Sequence, residues 1–169
     1  MPESIVGIRA KIISIVLPLL IVALLLGGLS ASYVATNAVT RVAVEFLEFK
    51  TDELQKYVDG QWRILVDNEL TNREDMVQAA QAGIELFARS IIRSETETVF
   101  ALDDTGAVVM STDDIEVGSD ETEDLLRVTG LGDPALQTAV IGGVERVFTG
   151  FAFEPFGWSL FVSEYRDAF

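Results

Sequence analysis

The chain has 169 residues, enough for one domain and short for two. It contains no cysteine and no histidine, which excludes disulfides, thiolate metal sites and cysteine nucleophiles, and removes the commonest general base and zinc ligand. A net charge of −15 repels phosphate backbones, so no nucleic acid is expected as a partner.

The first predicted element is a membrane helix. No charged residue occurs from Ile12 to Thr40, and Ile12 to Leu29 reads IISIVLPLLIVALLLGGL. A span needs about 20 apolar residues to cross the hydrocarbon layer, and the segment 12–35 meets that length. Arg9 and Lys11 precede it, so residues 1–11 are expected on the cytoplasmic side and everything after the span outside, as a single-pass protein of the cell inner membrane. Pro18 is tolerable in a membrane helix and Tyr33 suits the outer interface. The alternative is a cleaved signal peptide, with Ser30, Ala31 and Ser32 as the small residues of the cleavage site. The length of the apolar run and the helical pattern beyond it favour a retained anchor.

Residues 36 to about 68 contain no proline and one glycine, Gly60. Val42, Phe46, Phe49, Leu54, Tyr57, Val58, Trp62 and Leu65 recur at helical spacing, while Glu45, Glu48, Lys50, Asp52, Glu53 and Lys56 populate the remaining surface. The membrane helix is therefore expected to continue outward as a rod, its stripe covered by the domain or by a second copy of the rod. Thr71 to Glu74 fits a capping box with Thr71 as N-cap, opening a second helix to about Ser94. Met76, Ala80, Ile84, Phe87, Ala88 and Ile91 line one of its faces. Residues 36–94 thus form a helical layer.

From residue 95 the pattern changes. Thr98–Ala101 and Ala107–Ser111 are β-prone around the turn Asp103-Asp104-Thr105-Gly106, which predicts a hairpin. Asp113 to Asp124 reads as an acidic loop. Pro134 starts a predicted short helix, Ala135 to Val140, which Gly142-Gly143 ends. Val144–Phe153 and Trp158–Tyr165 are strands joined by the turn Glu154-Pro155-Phe156-Gly157, with Trp158, Leu160 and Val162 on one face of the last strand and Phe161 and Tyr165 on the other. The fold class is α+β, with residues 95–169 forming an antiparallel sheet with short helices.

Several of these segments resemble the Cache domains of bacterial transmembrane receptors, a PAS-like sensory fold. VFALDDTGAVVMSTD, Val99 to Asp113, is similar to that family's first hairpin, with an apolar strand, Asp-x-x-Gly and a second strand. Val117-Gly118 stands where the family often has Val-Gly. Gly142-Gly143 followed by VERVFTGFAFEPFGWSLFVSEYRDAF resembles its last hairpin, with Gly157-Trp158 opening the final strand. The resemblance covers about Val34 to Phe169. It implies a ligand-sensing domain whose signal crosses the membrane to an effector of the histidine kinase, chemoreceptor or cyclase type. No effector follows Phe169 in this sequence, so the resemblance implies a piece of a receptor, or a stand-alone product that signals otherwise. The family's amino-acid-binding cluster of Tyr, Arg, Trp and Asp is not recognisable, which leaves the ligand class open.

The candidate ligand residues are Arg146, Phe148, Arg127, Trp158 and Tyr165. Arg146 lies in a strand with Phe148 next on the same face; facing a pocket, its guanidinium would hold a carboxylate in bidentate fashion, and on a solvated strand it would pair with Glu145 or a neighbour. Arg127 could clamp an anion at a loop or sit free on the surface. Trp158 and Tyr165 could wall a small-molecule site, or Trp158 could pack in the core. The acidic clusters at 103–104, 113–114 and 120–124 lack the alternating pattern of a calcium loop and read as solvated, so no metal and no cofactor are expected. No catalytic pattern is present, and an enzyme is not expected. The expected function is extracytoplasmic sensing of a small molecule, a carboxylate being the ligand that Arg146 suits. The domain is expected to be a homodimer through the long helix. The alternative is a membrane-anchored structural or protein-interaction module such as a pilin-like subunit, although the acid that pilins carry near the start of the apolar run is missing between Glu3 and Glu45.

Overall fold

A computed structural model describes residues 8–129 and 136–168, without the side chains of 8–15, 27–43 and Val128. The chain divides into two units, Met1–Val42 and Ala43–Phe169. Helix α1 runs from Ile8 to Asp67, so the rod expected after the apolar run continues the same helix. In the first unit the described side chains are Val16 to Leu26, and all are exposed. Among the described residues no helix is long and apolar enough to cross a membrane. The expected span at 12–35 falls partly outside the described side chains.

The second unit is an antiparallel sheet with helices on both faces. Helix α2 (Glu74–Ile91) follows α1, and then come strands β1 (Thr98–Asp103) and β2 (Val108–Ser111), helix α3 (Ser119–Thr129), and strands β3 (Gln137–Ile141), β4 (Val144–Phe153) and β5 (Trp158–Tyr165). The strand order is β2-β1-β5-β4-β3, an α+β arrangement that fits a PAS-like fold. One sheet face packs Val99, Ala101, Phe151, Phe153, Leu160 and Val162 against Leu54 and Val58 of α1 and Ile84 and Ala88 of α2. The opposite face packs Phe100, Leu102, Phe148 and Phe161 against Leu125 of α3. The period-2 alternation of each strand supplies both faces. The alternation expected for the last strand is the one observed.

Four local expectations are corrected. The buried face of α1 comprises Leu47, Lys50, Thr51, Leu54, Val58 and Leu65, whereas Phe46 and Phe49 are exposed. Two polar residues belong to this face because each has a partner: Thr51 Oγ1 donates to the Leu47 carbonyl at 3.0 Å, and Lys50 pairs with Glu97. A hydropathy stripe discards such residues. Next, α2 begins at Glu74 after Arg73, with no side-chain cap, so Thr71 is not its N-cap. Third, the acidic stretch is half helix: α3 starts at Ser119, and Glu121 reaches back to accept the Gly118 N–H at 3.0 Å. Acids in a first helical turn are favoured by the helix dipole and by the free N–H groups there. Finally, Gln137–Val140 is strand rather than helix, and Ala135 lies outside the described residues. Gly142 and Gly143, at φ 61° and 76°, form the two-residue turn of the β3–β4 hairpin. Two consecutive left-handed residues match the twist of flanking strands, and glycine adopts them without a side-chain clash.

Candidate ligand site

A cavity of about 590 Å³ opens on the α3 side of the sheet, at the end where β4 begins and β5 finishes. Its floor is Arg146 and Tyr165, which are cross-strand partners on β4 and β5. The residues 113–118 and Glu121 form one wall, and the β3–β4 turn with Val144 forms the other. Glu121 links these walls: the carboxylate oxygen that accepts from Gly118 also accepts the Gly142 N–H at 3.1 Å.

Arg146 is 5% exposed. Its Nη1 donates to the Thr96 carbonyl at 3.1 Å and to Ser163 Oγ at 3.2 Å, and its Cζ lies 4.4 Å from the centre of the Tyr165 ring. Its Nε is buried with no hydrogen-bond partner. Among the described residues no carboxylate forms an ion pair with it. The expected alternative partner, Glu145, pairs instead with Arg166. Alternation along β4 explains this, since Glu145 and Arg146 point to opposite sides. Burial holds the Arg146 guanidinium below the usual arginine range, while the Tyr165 phenol and the carboxylates of Glu164 and Asp113 act in the other direction. A buried cation that lines a cavity and has no charged partner among the described residues is costly unless an anion completes it.

Of the sequence candidates, the structure brings only Arg146 and Tyr165 together. Phe148 is one layer beneath, in the core, its ring 6.0 Å from that of Phe161. Trp158 belongs to the opposite core face, at the far end of β5, tilted on Phe156 at 5.5 Å. Arg127 is exposed on α3 and paired with Asp124 at 2.9 Å. Sequence reasoning missed the acidic lining of the cavity, Asp113, Asp114, Glu116 and Glu121, because a run of acids reads as solvated surface. The Gly142-Gly143 pair was the available signal: as a hairpin turn it brings a third strand beside β4 and closes the cavity.

No protein-family model matches the sequence, and no curated protein matches it. Among solved structures, a Cache chemosensory domain described for its recognition of carboxylic acids aligns at 14% identity and a TM-score of 0.53, covering 78% of this chain and 98% of that one. A methyl-accepting chemotaxis protein from Vibrio parahaemolyticus aligns at 14% identity and a TM-score of 0.44, covering 77% of this chain and 98% of that one. The helices, the sheet order and the ligand-sized cavity over β4 and β5 thus sit in the Cache-type, PAS-like fold that the sequence resembles.

Proposed function

We propose that this chain is the small-molecule-sensing part of a transmembrane signalling receptor of the histidine kinase, chemoreceptor or cyclase type, and that its ligand is an organic carboxylate held by Arg146. The observation that carries this reading is the buried guanidinium on the cavity floor, with Nε unpartnered and, among the described residues, no acid paired to it. Arginine presents a planar fork that matches a carboxylate, and Tyr165 beneath the guanidinium fixes its plane. The solved Cache domain that recognises carboxylic acids supports the same ligand chemistry. The domain acts by binding rather than catalysis.

On this reading residues 12–35 anchor the chain in the inner membrane, with the N-terminus cytoplasmic and the sensor on the extracytoplasmic side. The exposure of Val16, Leu17, Leu19, Leu24, Leu25 and Leu26 supports an apolar environment there, because burying each such side chain is favourable by about 1.5–3 kcal/mol. Two copies pair through α1, whose outward face carries Phe46 and Phe49. The ligand shifts α1 only by as much as its affinities for the two states differ.

The test is a thermal-shift series on the full chain in detergent micelles, with sodium acetate, propionate, lactate and pyruvate at constant ionic strength. A ligand at about 100 times its Kd stabilises by about 2.7 kcal/mol. At least one carboxylate is expected to raise Tm in the parent and to lose that effect in Arg146→Met. Equal responses in parent and variant, or none from any carboxylate, would overturn the reading.

A further inference from the structure

On the opposite side of the sheet from the cavity, Lys50 of α1 forms an ion pair with Glu97, just before β1. Lys50 is 4% exposed and Glu97 5%. The second carboxylate oxygen of Glu97 accepts the Arg93 backbone N–H at 2.8 Å, and the Lys50 ammonium lies 4.4 Å from the centre of the Phe46 ring. Such a pair is an unusual choice for stability alone. The cost of desolvating both ions offsets most of their attraction, and apolar replacements of both are often neutral. A buried pair does impose one geometry, since sliding α1 along the sheet would leave two buried charges unpaired.

Glu97 sits between two residues held by the Arg146 network. Arg146 Nη1 donates to the carbonyl of Thr96 and to Ser163 Oγ, and Ser163 Oγ donates to the carbonyl of Thr98 at 3.1 Å. Both neighbours of Glu97 are therefore fastened from the cavity side, and its side chain is fastened to α1 from the helix side. Alternation at the start of β1 produces this, with Thr98 and Phe100 facing the α3 side and Val99 facing α1 and α2. An anion that engages Nη1 competes for the hydrogen that Thr96 accepts.

We propose that the Lys50–Glu97 pair is the latch through which the state of the Arg146 guanidinium reaches α1. Withdrawing Arg146 from the Thr96 carbonyl loosens the segment 96–98, and Glu97 carries that change to Lys50 because the pair cannot stretch without exposing a buried charge. The role in signalling rests on Arg146 being the ligand anchor; the coupling itself is a property of the ligand-free chain.

Hydrogen exchange on the full chain in detergent micelles, without ligand, tests it. Arg146→Met is compared in the parent and in a background with Lys50→Met and Glu97→Met together. The expected result is that Arg146→Met speeds exchange at the α1 amides from Leu47 to Val58 by about fivefold in the parent, within the range for residues of one network, and by less than about twofold in the apolar background. The α2 amides from Ile84 to Ala88 are the internal control, since a general loss of stability would speed them equally. Should the apolar background not fold, Glu97→Gln replaces it, losing the charge and keeping an acceptor for Arg93. Unchanged α1 rates, equal acceleration in both backgrounds, or equal acceleration of α2 overturn the proposal. Failure of the sensor reading shows separately, as a parent whose Tm none of the four carboxylates moves.

Discussion

Gly150 stands directly across from Phe161 in the β4–β5 pairing, at the centre of the sheet. A Cβ there would lie 2.5 Å from the Leu160 carbonyl oxygen and 2.6 Å from Phe161 Cδ1. The carbonyl is main chain and cannot rotate away, and the Phe161 ring is held by Phe100 at 5.1 Å. Overpacking of this kind costs about 1–3 kcal/mol. Gly150→Ala is accordingly expected to lower unfolding stability by that amount in a denaturant titration, and a stability equal to the parent's would show that the strands can separate at no cost. The close approach is invisible in the sequence, where Gly150 reads as one small residue in a strand. Arg146 was legible as a residue type suited to carboxylates; its burial and the diversion of Glu145 to Arg166 were not, because both depend on which strand lies alongside.

At the scale of elements, local chemistry was legible wherever a segment satisfies itself. The β1–β2 turn is one such case: Asp103 accepts hydrogen bonds from the Thr105 hydroxyl and from the N–H groups of Ala107 and Thr105, which together hold its carboxyl below the usual range. Where two segments complete one another, the pattern misled. The stretch 137–140 resembled a helix start after proline, yet it is a strand because β4 offers it an edge and Gly142-Gly143 turns it back. The start of α2 departs from local preference as well. Arg73 has the extended N-cap conformation, φ −97° and ψ 101°, but no side-chain oxygen to receive the first N–H groups. Arg73→Ser supplies one and is expected to stabilise the protein by about 1 kcal/mol. An unchanged or lower Tm would mean that the exposed pair of Arg73 with Asp75 matters more than a cap.

For the whole molecule, the outward face of α1 is the feature the single chain does not explain. Phe46, Phe49, Glu53, Lys56 and Gly60 follow one another at alternating spacings of three and four, the pattern of a helix seam. Phe49 is 58% exposed, and a Cβ on Gly60 would meet nothing within 4 Å. A mid-helix glycine costs about 1 kcal/mol relative to alanine, which a close helix neighbour would offset. If two copies pair through α1, Phe49→Cys cross-links in intact membranes, the native chain having no cysteine to interfere. Leu86→Cys, on the exposed side of α2, serves as the control and is expected to stay monomeric. Equal cross-linking at both positions, or none at Phe49, would remove the helix-paired dimer.

The sequence by itself determined the α+β class, the helix carried on from the apolar run, the limits of β4 and β5, and the likeness to Cache-type domains. These follow from periodicity and turn residues, which act within a few positions along the chain. Only the tertiary structure decided that Lys50 is buried, that acids at 113–121 wall a cavity, that Trp158 packs in the core while Tyr165 lines that cavity, and that among the described residues no carboxylate pairs with Arg146. Each of these depends on partners 20 or more residues away. A charge reads as surface until its partner is found, because burial is set by what packs against a residue and not by the residue alone.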